Sequence, residues 1–436
     1  MSYVIAAPDV MSATAADLAG IESALSAAHA AAARQTTALL AAAEDEVSAA
    51  IAAMFSAHGQ EYQALSAEAA TCQAQFVQAL TGSAGSYANA EAANLPALVD
   101  RLVSGVFAAS PVGPVPAGKN PTFTGAPSLL GRLESELLLR PINNLLNATG
   151  FWPQLGTLNS PLQNLFSSGL LSPIFSNTPP KLLTWALGET VTQTTYQGMP
   201  VVQIAPAHPD GNYVVALHGG AFVWPPLITH WIGYSVMAFQ TGATVEVPIY
   251  PLVQQGGTAG VVVPKVAGLI ESTITAHGAS HVSVLGDSAG GNIALAAVEY
   301  LVAQNETVPA SMVLLSPAPD LTWTNPAIGL VNSPFPGGPA NIAAGQQIAS
   351  EWAGGLSVTD PLVSPLYGSL QGLPPTYVYA GSLDPIAPDV LIMQQQAVTQ
   401  SAQFSFSLVS GQFHDWLFLS PDGLRYFPQV YQELGA

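Results

Sequence analysis

The 436-residue chain has one cysteine, Cys72, so no intrachain disulfide can form and sulfur chemistry says nothing about its compartment. Basic residues are nearly as scarce. Only 8 Lys and Arg stand against 27 Asp and Glu, and none lies between Lys265 and Arg425. Without a basic patch to neutralise phosphates, nucleic acid is excluded as a main partner. Charged residues of either sign make up 8% of the chain, so despite a net charge of -19 much of the surface must be neutral or apolar. That suits a protein facing lipid or a cell envelope, while a coding bias toward alanine would account for the same composition. No Cys or His cluster has metal-ligand spacing, and neither metal nor cofactor is expected. The first basic residue is Arg34, which leaves no positive leader of a secretory signal peptide. No uncharged apolar run reaches the roughly 18 residues that a membrane span needs, so any lipid contact is peripheral.

The chemistry gathers in the second half. Gly286-Asp287-Ser288-Ala289-Gly290-Gly291 falls between an apolar run, 281–285, and an alanine-rich stretch, 292–303. A serine at a strand-to-helix turn is held in a cramped conformation, and glycine on both flanks removes the Cβ atoms that would collide there. Ser288 is therefore the expected nucleophile. Its hydroxyl needs a base, and the base needs a carboxylate to fix its tautomer, in the chain order serine, acid, histidine. Residues 375–380 read as a strand, and the turn after it places Asp384 at its carboxyl end. Residues 404–408 alternate as the last strand, after which His414 is the only histidine beyond His281. Asp384 is the expected acid and His414 the base. Asp415 is a weaker rival, because a residue adjacent to the histidine rarely turns back onto its ring, and Asp287 is expected to stabilise the turn. The developing oxyanion needs bare amides. His218-Gly219-Gly220-Ala221 follows the apolar strand 213–217, so Gly219 and Gly220, with Ala289, are the expected donors.

These motifs, with Tyr250-Pro251-Leu252, Ser364-Pro365-Leu366, Gly372-Leu373-Pro374-Pro375 and Asp384-Pro385, resemble the hormone-sensitive lipase family over about residues 185–436. The resemblance implies an α/β-hydrolase fold with a mostly parallel central sheet and hydrolysis of carboxylic esters. Two departures bear on it: Ala221 stands where glycine is usual, and the Tyr-Arg-Leu-type segment reads Tyr-Pro-Leu.

In the first hundred residues, apolar positions recur every three or four residues from Met11 to Ala32 and from Val47 to Leu80, which predicts two long amphipathic helices. Residues 36–44 join them, and Glu44-Asp45-Glu46 places negative charge at the second helix's N-terminus. An antiparallel hairpin follows, and it cannot cover its own apolar stripe, so a further helical surface is needed. The segment resembles the PE family of mycobacterial proteins over about residues 1–95, with Pro8-Asp9 in place of Pro-Glu. Tyr87 and Glu91 match the family's Tyr-x-x-x-Asp/Glu export signal. The resemblance implies a PPE-family partner and export from the cytoplasm by a type VII secretion system, to the envelope or cell surface. The joint architecture is similar to the PE-domain triacylglycerol lipases of mycobacteria, which implies a lipid ester substrate.

Between these parts, residues 96–140 are read as a proline-rich linker, its stretch 110–127 open to proteolytic maturation. The hydrolase domain spans 141–436. Its first part, 141–185, carries much apolar bulk, including Leu145, Phe151, Trp152, Phe166 and Phe175. Two readings of it are open: a cap over the site, or packing against the hydrolase edge. Met237, Phe239, Trp323, Phe335 and Trp352 are candidates for an acyl pocket. Two rival functions also stay open, an envelope acyltransferase and a catalytically idle surface or adaptor protein.

Overall fold

The computed structural model describes the backbone of residues 8–104 and 111–436, with the side chains of 11–85 and of 111–436 other than Ser167. The chain forms two compact units, Met1–Ala97 and Leu98–Ala436. The first holds helix α1 (Pro8–Thr36) and most of α2 (Glu46–Ser104), whose last residues fall in the second. Gln60 donates to the Thr37 carbonyl, Gln63 to that of His29 and Gln73 to that of Leu18, so partner numbers fall as α2 advances and the helices are antiparallel. Asp45 caps α2 by accepting from the amides of Val47 and Ser48. The helix runs past residue 80 to Ser104, so Tyr87 and Glu91 lie within it rather than after it. Their side chains lie outside the described residues. Ile21, Leu25, Met54, Leu65 and Phe76 remain exposed, the uncovered stripe that the periodicity predicts.

The second unit contains β1 (Val115–Pro116), α3 (Leu129–Leu133), a π-helical turn (Glu134–Leu139), α4 (Arg140–Ala148), α5 (Phe151–Leu155), α6 (Pro161–Ser167) and α7 (Lys181–Ala186). The hydrolase core follows: β2 (Thr190–Tyr196), β3 (Met199–Ala205), β4 (Tyr213–Leu217), α8 (Ile228–Thr241), β5 (Thr244–Pro248), α9 (Ala259–His277), β6 (Val282–Asp287) and α10 (Ala289–Ala303). It ends with β7 (Ser311–Leu315), α11 (Pro339–Ala353), β8 (Thr376–Gly381), α12 (Ala387–Thr399), β9 (Phe404–Val409), α13 (Trp416–Leu419) and α14 (Phe427–Glu433). The strands form one sheet in the order β1-β9-β8-β7-β6-β4-β5-β3-β2, parallel from β9 to β5 and antiparallel at both edges.

Central strands buried on both faces read as continuous apolar runs, as Ser-Met-Val-Leu-Leu of β7 does. Side chains from α9, α10, α11 and α12 pack on one face of the sheet, and those from α8, α13 and α14 on the other. Among the described residues, α9 alone has the length and hydropathy to cross a bilayer, but it carries Lys265 and Glu271 and buries Val262, Val263, Val266 and Ile270 against the sheet. It is a core helix.

The linker reading fails over residues 111–140. Val115 and Pro116 add an edge strand to β9, the Val112 amide donates to Tyr426, Gln394 donates to the Pro121 carbonyl, and the Ser128 amide donates to Asp422. Prolines suit an edge strand because its outer amides need no partner, so a proline-rich composition did not mean a free chain.

Candidate active site

All the parallel strands end at one edge of the sheet, and the loops leaving β4, β6, β8 and β9 there carry the residues singled out above. Ser288 links β6 to α10 with φ 52° and ψ -117°, a conformation that side chains rarely adopt. A Cβ on Gly290 would strike the carbonyls of Leu217 and His218, and one on Gly286 would strike the backbone of Gly290, so both glycines are required by close approach.

The Ser288 hydroxyl lies 2.7 Å from His414 Nε2. On the far side of the ring, Nδ1 is 3.0 and 3.1 Å from the two carboxylate oxygens of Asp384. A carboxylate only accepts, so Nδ1 carries hydrogen and neutral His414 is left with Nε2 as the acceptor for the serine proton. Asp384 is wholly buried and receives the Ile386 amide. The turns after β8 and β9 are stitched together: Leu383 N donates to the Gln412 carbonyl, Ser382 N to that of Val409, and Gly411 N to the Ser382 hydroxyl.

Asp415 does turn back toward the ring, contrary to the sequence expectation, because it takes a left-handed φ of 56°. Its Oδ2 lies 3.4 Å from Nε2, the serine-facing nitrogen, and not beside Nδ1. Burial alone would keep His414 neutral, but the charges of Asp384 and Asp415 outweigh it and raise its pKa to about 9. Burial also pushes the Asp415 carboxyl up to about 7, against the pull of the His414 charge.

One oxyanion donor needs correction. The Gly219 amide donates to Asp287 Oδ2 at 2.9 Å, so it is not free for a ligand. Gly220 and Ala221 line the cavity beside Ala289 instead, and among the described backbone hydrogen bonds none is donated by the amides of these three. Ala221 has φ 51°, the conformation glycine tolerates best, which is the physical reason for glycine at this place in the motif. Asp287 does more than shape its own turn: the same oxygen lies 3.0 Å from His230 Nε2, which ties the elbow to both the His-Gly-Gly loop and α8. Burial works against a charge on His230, and Asp287 prevails and raises its pKa. Tyr250, stacked on His218 at 4.3 Å, donates to the His218 carbonyl, which accounts for the tyrosine of the Tyr-Pro-Leu segment. His230 had no signal in the sequence beyond its place on a helix.

Ser288, Ala289 and His414 open into a cavity of about 330 Å3 whose other walls are mostly apolar, with Phe151, Trp152, Trp224, Trp323 and Phe335 among them. Of the acyl-pocket candidates, Trp323 and Phe335 line it. Trp352 lies behind it, stacked on Phe222, while Met237 packs on the opposite face of the sheet and Phe239 is exposed. Within residues 141–185, Trp152, Leu155 and Phe166 are at once buried core and cavity wall. Among the described residues no group of three or more His, Cys, Asp or Glu could hold a metal ion.

Residues 4–94 match the PE family model, and residues 214–418, which include the serine, the acid and the base, match that of the alpha/beta hydrolase fold. Across its full length the chain is 51% identical to a triacylglycerol lipase of Mycobacterium tuberculosis, covering 99% of that protein. The chain belongs to this family of PE-domain α/β-hydrolases. Solved structures similar to the hydrolase unit include a putative esterase from Staphylococcus aureus (TM-score 0.54, 22% identity, covering 63% of this chain and 92% of that one). Another is an esterase from the bacterial hormone-sensitive lipase family (TM-score 0.51, 24% identity, 64% and 100%). At such identities these two speak for the fold alone. The family's fold is thus the one the motifs implied, a helical N-terminal region followed by a mostly parallel sheet.

Proposed function

We propose that the chain hydrolyses long-chain acylglycerols, triacylglycerol among them, through an acyl-enzyme on Ser288. The observation that carries this reading is the Ser288–His414 contact of 2.7 Å opening into a largely apolar cavity. The full-length relative named a triacylglycerol lipase supports the same substrate class. Ser288 attacks the ester carbonyl as His414 takes its proton, and Asp384 stabilises the imidazolium. The amides of Gly220, Ala221 and Ala289 hold the oxyanion. His414 then protonates the departing alcohol and activates a water that releases the fatty acid.

For residues 1–95 the reading is pairing with a PPE-family helical partner and export by type VII secretion to the envelope or cell surface. The PE family match and the exposed apolar stripe of α1 and α2 support it. Co-expression with such a partner should raise the amount of chain found outside the cell, and unchanged export without residues 1–95 would end this part of the proposal.

Ser288→Ala should lower turnover of p-nitrophenyl esters and emulsified triolein by about 10³-fold or more, and a fluorophosphonate probe should label wild-type Ser288. Undiminished turnover by the variant would remove Ser288 from the mechanism. Preference for short esters with triolein untouched would replace lipase by esterase.

A further inference from the structure

The stretch from α3 through the π-helical turn to α4 is amphipathic in the wrong sense for a surface helix. Its fully buried positions are small or polar, Gly131, Ser135 at 5% and Asn143 at 6% exposure, and of its leucines Leu139 and Leu146 pack half-buried on the core. Its outward positions are aliphatic, with Leu129 and Leu137 exposed to 72% and 71% and Leu133, Leu138, Ile142 and Leu145 also in solvent. A helix normally buries its leucines and wets its asparagines. Leaving so much contiguous aliphatic surface in water is unfavourable, so the face is built for an apolar surface outside this fold.

Its charges say which kind. Glu136 and Arg140 neutralise each other through hydrogen bonds of 2.8 and 2.9 Å, and Arg132 Nε donates to the Pro127 carbonyl. With no cluster of lysines or arginines on the face, and a chain of net charge -19, an anionic bilayer is repelled rather than drawn in. Its position adds the second constraint. Asn147 donates to the Gly337 carbonyl and Arg140 to Asn332, on the loop whose Phe335 and Pro336 line the cavity. At the other end, the Ser128 amide shares Asp422 Oδ2 with Gln412, two residues before His414. The aliphatic stretch is therefore anchored to the loop that walls the site, and Leu330, two residues before Asn332 on that loop, is 85% exposed.

We propose that the outward face of residues 129–145, with Leu330, docks on the uncharged hydrocarbon surface of aggregated acylglycerol and holds the cavity against it. This rests on the acylglycerol reading above. The test uses the full chain carrying Ser288→Ala, floated with phosphatidylcholine-stabilised triolein droplets, so that binding is read without turnover. Leu133→Gln, Leu137→Gln and Leu138→Gln together should lower droplet binding by about tenfold or more. In the active chain the same three changes should cut triolein hydrolysis and leave kcat/KM for p-nitrophenyl butyrate unchanged, which also reports an intact fold. As a second reading, Leu137→Cys in a Cys72→Ser background, labelled with an environment-sensitive dye, should shift to the blue on droplets. Equal flotation of the triple variant, a dye that does not shift, or stronger salt-sensitive binding to anionic vesicles would each overturn the proposal. So would a self-associated wild type that the triple variant turns monomeric without change in droplet binding. Droplet binding intact with no ester turnover in the wild type would instead sink the acylglycerol reading.

Discussion

His414 sits between two carboxylates, and each acts on a different nitrogen. Asp384 fixes the proton on Nδ1, while Asp415 lies beside Nε2, the atom that must be bare to accept from Ser288. Both charges favour the protonated ring, so the base is inactive until pH rises toward its pKa of about 9. The same pairing contributes stability that is fully present below the unfolded histidine's pKa of roughly 6.5 and lost as pH climbs through about 9. Activity should thus rise with pH over the range in which this contribution to stability fades. Asp415→Asn removes one of the two charges and should move the ascending limb of kcat/KM for a soluble ester to lower pH. A limb that stays in place would mean that Asp415 does not reach the base. The motif and the chain order pointed to Ser288, Asp384 and His414, because nucleophile, acid and base must leave strand ends at one edge of the sheet in that order. Asp415, His230 and the engagement of Gly219 by Asp287 were not legible, since they depend on one left-handed residue and on the approach of two loops distant in sequence.

At the scale of elements, α5 and α11 set the shape of the cavity between them. Gly345 of α11 faces the Trp323 indole so closely that a Cβ there would strike its ring atoms, and both residues line the cavity. Gly345→Val should drive the indole out of place and raise KM for long p-nitrophenyl esters about tenfold while sparing the acetate. Equal effects at all chain lengths would show that Trp323 does not border the acyl chain. Helix and strand types followed from periodicity and from apolar runs, but the path of residues 111–140 did not. Two residues, Val115 and Pro116, are too short a strand to leave a pattern, and a proline-rich stretch reads alike whether free or lying along a sheet edge. α2 likewise passes Pro96, where the composition had suggested an end to regular structure.

On the scale of the whole molecule, the division after Ala97 gives each unit its own contacts. A chain beginning at Leu98 keeps β1, Ala117 buried beneath it and the hydrogen bonds from Val112, Gln394 and Ser128. One beginning at 141, the sequence-based boundary, loses all of them. The longer fragment should hydrolyse p-nitrophenyl butyrate as the full chain does, and the shorter should melt about 5 °C lower or more, the effect of removing a few hydrogen bonds worth about 1 kcal/mol each together with an edge strand. Equal melting temperatures would make residues 111–140 a connector after all.

The carboxylate of Asp415 has one more effect, on what leaves the enzyme. Hydrolysis turns a neutral ester into an acid, and above its own pKa that acid is an anion released at Ser288, in a cavity whose lining includes Asp415. Like charges sharing one largely apolar cavity repel strongly. Product inhibition should accordingly be weak at alkaline pH, and in the Asp415→Asn protein oleate should linger.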